Sequence, residues 1–290
     1  MKLQFEANQQ YQLDAISAVV DVFDGVQKSD GKRRIAGSAE LLGNEYVVAN
    51  HCQLSSEAML GNMHAVQDRN NLPHTDAGEH LSIEMETGTG KTYVYLRTIH
   101  ELHARYGFNK FVIVVPSVAI KEGAIKNLEI TREHFALLYD NPSCDVHIYD
   151  PKKRGQLKQF ATADSLQVLL ITIDSFAKSE NVIRQNTDWG VALEYLRATR
   201  PIVIVDEPQN METEKRKQAI ADLLPLVTLR YSATHKNPYN TLYSLNPVQA
   251  YDLGLVKTIE VDSVHSDEAY AHAYVKVQKV TAKKKEWEEK

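Results

Sequence analysis

The chain has 290 residues, 43% hydrophobic and 24% charged, which suits one large or two modest domains with a buried core and excludes a linker or fibrous chain. A net charge of −5 excludes a protein that coats nucleic acid wholesale, while leaving room for a local basic stripe. Two isolated cysteines, Cys52 and Cys144, form no C-x-x-C pair; they argue against a disulfide framework or thiolate zinc site and fit a reducing, cytoplasmic setting.

The first residues, "MKLQFEANQQYQ", are polar and lack the apolar core of a secretory signal. No apolar run approaches the roughly 20 residues of a membrane helix, so no membrane partner is expected. Residues 1–24 predict a helix in "YQLDAISAVVDVF" behind a Gln-rich lead. Residues 25–80 read as a polar insertion with one short strand.

From Leu81 the pattern changes. "LSIEME" reads as a strand, then a Gly-rich loop, then the helix "KTYVYLRTIHELHARYG" stopped by Gly107. "KFVIVV" is a second strand and "SVAIKEGAIKNL" opens another helix. "DVHIY", "VLLITI" and "PIVIV" follow as strands, with "TDWGVALEYLRAT" (187–199) helical before the last of them. "METEKRKQAIADLL" (211–224) reads as a charged amphipathic helix and "LVTLRY" as a sixth strand. Continuously apolar strands alternating with helices predict an α/β fold: a mostly parallel sheet with helices on both faces. Ligands of such sheets lie beyond the carboxyl ends of the strands. The unusual clusters fall there: "TGTGKT", "PS", "DSF", "DEPQ" and "SATH" each follow a strand.

The loop in "METGTGKT" departs from G-x-x-x-x-G-K-[ST] only at its first position, where Met85 replaces glycine. Gly88 and Gly90 let the backbone turn so that successive N–H groups, with those of Thr87 and Thr89, face one point, an anion nest at a helix start. Lys91 is placed to reach nucleotide phosphates, and Thr92 to ligate Mg²⁺. Met85 is tolerable if its backbone keeps a negative φ and its side chain points away from the phosphates. "VIVDEPQ" ends a buried strand in two acids, which costs desolvation unless they meet a cation. Asp206 is the expected Mg²⁺-side carboxylate and Glu207 the group that orients and deprotonates water. Ser232 and Thr234 of "YSATH" are placed to hydrogen-bond that acidic segment.

"METGTGKT", "DEPQ" and "SAT", in that order, resemble motifs I, II and III of the superfamily 2 helicases and translocases. "YQLDAI" resembles the adenine-reading Q element, with Gln12 as its glutamine. Together with "VVPSVAIKEG" and "YDLGLVKTIEVDSV", the DEPQ form is specifically similar to the Res subunit of type III restriction–modification systems, over nearly the whole chain. That resemblance implies a RecA-like P-loop NTPase with ATP and Mg²⁺ as cofactors. It implies a motor on double-stranded DNA, in complex with a Mod methyltransferase that reads the site.

By the same resemblance, residues 81–245 form the first motor domain and 246–290 lead into a second. Gln209, Ser232, Ala233 and Thr234 would couple nucleotide state to movement. Pro116, Ser117 and Lys121, at the position of motif Ia, and Thr172 and Asp174, at that of motif Ib, would touch the DNA backbone. The family's second motor domain and nuclease lie beyond motif III, so these 290 residues alone are expected to hydrolyse ATP weakly. Other readings are another superfamily 2 helicase or type I-like restriction subunit, a non-catalytic nucleotide- or partner-binding remnant, and, distantly, a small-molecule kinase. The basic runs "DPKKRG" and "KSDGKRR" are solvated faces or DNA contacts. His100 and His103 read as packing or surface residues in preference to metal ligands, His235 as a hydrogen-bonded turn residue in preference to one near the nucleotide, and Phe5 and Tyr11 as core or adenine-stacking rings.

Overall fold

The computed structural model describes residues 5–36, 46–76, 78–235 and 237–257; most of the expected lead-in 246–290 lies outside them. Helix α1 (Gln10–Val20) comes first, then a hairpin of β1 (Lys32–Ala36) and β2 (Tyr46–Asn50), and helix α2 (Ser56–Arg69). The expected alternation follows: β3 (His80–Met85), α3 (Lys91–Tyr106), β4 (Lys110–Val115), α4 (Val118–Leu138), β5 (Cys144–Ile148), α5 (Gly155–Thr162) and β6 (Leu166–Thr172). A two-residue ribbon, β7 (Asn186–Thr187) and β8 (Gly190–Val191), precedes α6 (Ala192–Ala198). The chain continues through β9 (Ile202–Asp206), α7 (Glu214–Ala221), β10 (Val227–Ser232), β11 (Thr241–Leu245) and α8 (Pro247–Asp252).

Seven strands form one sheet in the order β11-β3-β10-β9-β4-β6-β5, every neighbouring pair parallel. The alternation of each strand divides its side chains between two cores. Phe111, Ile113 and Val115 of β4 face α1, α2 and α3, while Val112 and Val114 join Leu157, Phe160, Leu193 and Ile220 on the other side. Both faces are apolar and covered, as expected of a RecA-like α/β fold.

Four elements depart from the expectations. Residues 25–80 hold a hairpin and a helix, not one strand. Helix α2 escaped notice because it carries few apolar residues and an internal Gly61; only Met63, Val66 and Gln67 are buried. β11 adds a seventh strand beside β3, too short and too polar in "TLYSL" to stand out. The 187–199 helix begins only at Ala192, because Gly190 takes φ 107° to close the β7–β8 turn. The 211–224 helix shortens to Glu214–Ala221.

The hairpin is tied to the amino-terminal edge of the sheet by one buried side chain. The Asn50 amide donates to the Lys110 carbonyl at 2.7 Å and accepts from the Asn109 and Lys110 N–H groups at 2.9 and 3.1 Å. Beside it, the buried Lys110 ammonium donates to the carbonyls of Phe160 and Ala163 at the end of α5, and burial pulls its pKa down to about 7. Removing the Asn50 amide strands two buried N–H donors. Asn50→Ala is expected to lower unfolding stability by about 2–4 kcal/mol in urea titration, against little change for the exposed Gln10→Ala.

Candidate nucleotide site and the adjoining rim

β3 delivers the chain to its carboxyl edge. Met85 is its last residue, fully buried and registered against Leu245 of β11; it is not among the positive-φ residues. The side chain therefore serves the core, and the turn is left to Gly88 (φ 85°) and Gly90 (φ 90°). Thr89 closes the loop, its N–H and Oγ1 donating to the Glu86 carbonyl at 3.2 and 2.7 Å. Glu86 also accepts from the Thr87 N–H at 2.7 Å through its carboxylate. Gly90 is the N-cap of α3, so the amides of the first helical turn face the cleft.

α1 packs on α3 and brings the amino-terminal residues to this loop. Gln12 Nε2 and the Tyr11 hydroxyl both donate to the Thr89 carbonyl, at 3.2 and 3.1 Å. A Cβ on Gly90 would meet Gln12 Nε2 at 2.5 Å, a second reason for glycine there. Between α1, the loop and α4 lies a cleft of about 490 Å³ lined by Phe5, Gln12, Gly88, Lys91, Thr92 and Glu207, among others. Its wall includes Tyr93, whose ring stacks on Phe5 at 5.9 Å and whose hydroxyl meets His134 at 2.9 Å. Tyr93 and Asn127 were not anticipated as cleft residues. Helical periodicity marks Tyr93 only as buried, and nothing in the sequence places Asn127 near the loop.

β9 ends in the acids. Asp206 is 5% exposed, and its Oδ1 has no hydrogen-bond partner among the described residues. Burial pushes its carboxyl up to about 6, with Lys91 opposing the shift and Glu207 adding to it. The Tyr95 phenol, fully buried, is pushed well above its ordinary value by burial and then by the charge of Asp206. Glu207 adopts φ 55°, a strained backbone for a non-glycine residue. That turn aims its carboxylate back at the loop, where it pairs with Lys91.

The pairing continues away from the loop. Gln209 Nε2 donates to the second Glu207 oxygen at 2.5 Å, Ser232 Oγ donates to Gln209 Oε1 at 2.8 Å, and Thr234 N–H donates to Ser232 Oγ at 3.1 Å. A continuous hydrogen-bonded line thus runs from Lys91 to Thr234. Ala233 lies within that turn, half-buried. His235 bonds the Ile83 carbonyl at 3.2 Å, His103 bonds the Phe108 carbonyl at 2.8 Å, and His100 stacks on Tyr139.

The same edge continues past β4 and β6. Ser117 is the N-cap of α4 and accepts from the Ile120 N–H at 3.4 Å; Pro116 precedes it and Lys121 is one turn on. Thr172 Oγ1 meets Ser175 Oγ at 2.7 Å. Asp174 is exposed and ion-paired with Arg216 at 2.9 Å, so the cation beside it is the group able to meet a phosphate. The structure thus brings the nucleotide-loop, acidic and "SAT" residues into one linked cluster, and sets the five expected DNA residues along the adjoining rim.

For a divalent cation, the described residues include Thr92 lining the cleft at the start of α3 and, beside the cleft-lining Glu207, the unpartnered Asp206 oxygen. A hard cation accepts such ligands and fills its remaining positions with phosphate and water.

Comparison with known proteins places the chain in a family. The family model described as type III restriction enzyme, res subunit, matches residues 7–237. The StyLTI Res subunit of Salmonella typhimurium, a type III restriction-modification enzyme, is 33% identical over 248 residues, covering 72% of this chain and 25% of that protein. The EcoPI Res subunit of Escherichia phage P1 is 29% identical over 290 aligned residues, covering 88% of this chain and 28% of that protein. The chain therefore spans about a quarter of the length of these curated relatives. A solved nuclease-deletion mutant of the type ISP restriction-modification enzyme LlaGI, in complex with a DNA substrate mimic, is similar at TM-score 0.42 and 12% identity, over 67% of this chain and 20% of that one. With the family match spanning most of its length, this chain belongs to the type III restriction enzyme Res subunit family.

Proposed function

We propose that this chain is the ATP-binding first motor domain of a type III restriction translocase, acting on double-stranded DNA with a Mod methyltransferase subunit. Residues 81–245 would form that motor, with 246–290 leading toward a second. The observation that carries the reading is the meeting of the Lys91–Glu207 pair with the unpartnered Asp206 oxygen at the mouth of one glycine loop. A packing role explains none of these three charges.

Each residue then has a task. Phe5 and Gln12 flank the base, and the amides from Thr87 to Lys91 hold the phosphates. Mg²⁺, held by Thr92 and Asp206, would neutralise charge on the β- and γ-phosphates. Lys91 exchanges Glu207 for phosphate on binding, which frees that carboxylate to orient a water and accept its proton. Gln209 holds the other Glu207 oxygen, so Ser232 and Thr234 feel whether Glu207 is paired with Lys91 or with water. Pro116, Ser117, Lys121, Thr172 and Asp174, the last through Arg216, supply sequence-independent contacts to the DNA backbone. No arginine lines the cleft among the described residues. An arginine in that place is worth about 10³–10⁵ in phosphoryl-transfer rate, and weak turnover in a steady-state ATPase assay is the expected outcome.

Lys91→Ala is expected to weaken binding of a fluorescent ATP analogue at least tenfold without unfolding the chain; unchanged affinity overturns the assignment. Asp206 supplies a pH test. Its carboxyl is raised to about 6 from 3.8, so between those values the folded chain holds a proton that the unfolded chain has lost. Stability therefore falls as pH rises through that window. Asp206→Asn is expected to stabilise the nucleotide-free chain by about 1–3 kcal/mol above pH 6 and to leave it unchanged below about pH 4, while abolishing Mg²⁺-dependent ATP affinity. Thermal melts with and without Mg·ATP across pH 4–8 read both effects.

A further inference from the structure

Two basic runs, "KSDGKRR" and "DPKKRG", look alike in sequence, and the fold separates them. The first enters β1 at the amino-terminal edge of the sheet, where Lys32 and Arg34 both pair with Asp164 ahead of β6. The second forms a short 3₁₀ turn, Pro151–Lys153, just beyond the carboxyl end of β5.

Register places that turn in line with the DNA-facing rim. Val115 of β4 pairs with Thr172 of β6, and Ile148 of β5 pairs with Leu170. The ladder runs one residue further, with Tyr149 N–H donating to the Leu170 carbonyl at 2.9 Å. Asp150 is therefore level with Thr172, and Thr172 with Val115, immediately before Pro116 and Ser117. Adjacent strands lie about 4.7–4.9 Å apart, so the three loops span about 10 Å, close to three nucleotide steps of about 3.4 Å along one DNA strand.

The turn is held rather than loose. The Asp150 carboxylate caps it by accepting from the Lys152 N–H at 2.9 Å. Tyr149 before it and Leu157 after it are buried. Arg154 reaches the Val182 carbonyl at 3.4 Å, tying the turn to the segment that follows β6. Lys152 and Lys153 are exposed, and neither forms an ion pair among the described residues. Asp150, the one acid on the turn, is held in the cap, and its single charge stands against three cations, Lys152, Lys153 and Arg154, so the turn is net positive.

We propose that turn 150–154 is a third backbone contact for double-stranded DNA, with Lys152 and Lys153 each neutralising one phosphate beside the contacts of Ser117 and Thr172. The proposal rests on the reading of the β4 and β6 loops as DNA-facing. It extends the DNA path to the outermost strand of the sheet. The contact carries no sequence information, because ammonium groups on phosphates read charge alone.

The test is fluorescence anisotropy of the 290-residue chain with a labelled duplex of about 30 base pairs, titrated from about 50 to 200 mM salt. Lys152→Ala with Lys153→Ala is expected to weaken binding about tenfold at low salt and to flatten the slope of log K against log salt by roughly two. Nucleotide affinity should stay at the parent value. Arginine at both positions restores the slope, and Arg33→Ala on the opposite edge leaves it unchanged. Ser117→Ala with Lys121→Ala is the companion variant. If that variant weakens binding while Lys152→Ala with Lys153→Ala keeps the parent affinity and slope, the turn is overturned and the rim reading stands. If both variants bind as the parent does, the DNA reading fails and the turn falls with it.

Discussion

Seven parallel strands covered on both faces leave the sheet its two ends as the main places for charge; Arg230 inside β10 is held by pairing with Glu212. Burying an unpaired carboxylate or ammonium among Val, Ile and Leu is prohibitive. The parallel arrangement sends every strand out at the same edge. Chemistry is therefore collected along that edge without further instruction. Lys91, Asp206, Ser232, Ser117 and Thr172 come from five strands and are neighbours for that one reason. The opposite edge carries what remains, including the Asn50 clamp and the basic hairpin neutralised by Asp164.

Within the edge, the balance of charges decides the resting state. Asp206 is too buried to ionise comfortably, and Lys91 cannot relieve it fully because it also faces Glu207. Three charged groups thus share one counter-ion short of neutrality, with two acids against one base. A phosphate alone would worsen the imbalance; a divalent cation arriving with it offsets the negative charge that the phosphate adds. The strained backbone of Glu207 belongs to the same logic, since that turn brings its carboxylate to Lys91 beside the buried Asp206.

Much of this was legible because it depends on local pattern. Runs such as "KFVIVV" and "VLLITI" state their burial outright, and glycines before "KT" state the turn. The illegible parts are those fixed by packing alone. Helix α2 is read as loop because its buried face is only Met63, Val66 and Gln67, a weak stripe. β11 is stabilised by pairing with β3, which no local preference in "TLYSL" announces. Asn127 reaches the cleft because α4 lies over α3. The link through Gln209 is of the same kind, its amide spanning Glu207 and Ser232 with one end each.

Met85 carries a consequence for how such loops diverge. In the common phosphate loop the first conserved position is glycine and is free to vary only in backbone. Here that position has been recruited into the core, beside Leu245 of a strand that joins the sheet late in the chain. Its identity is therefore under a constraint unrelated to nucleotide, and Met85→Gly would open a cavity beside β11 rather than improve the loop. Positions 85 and 245 should drift together across relatives, trading volume between them, while Gly88 and Gly90 stay fixed. A search demanding the first glycine would pass over chains of this kind whose phosphate-facing half is intact.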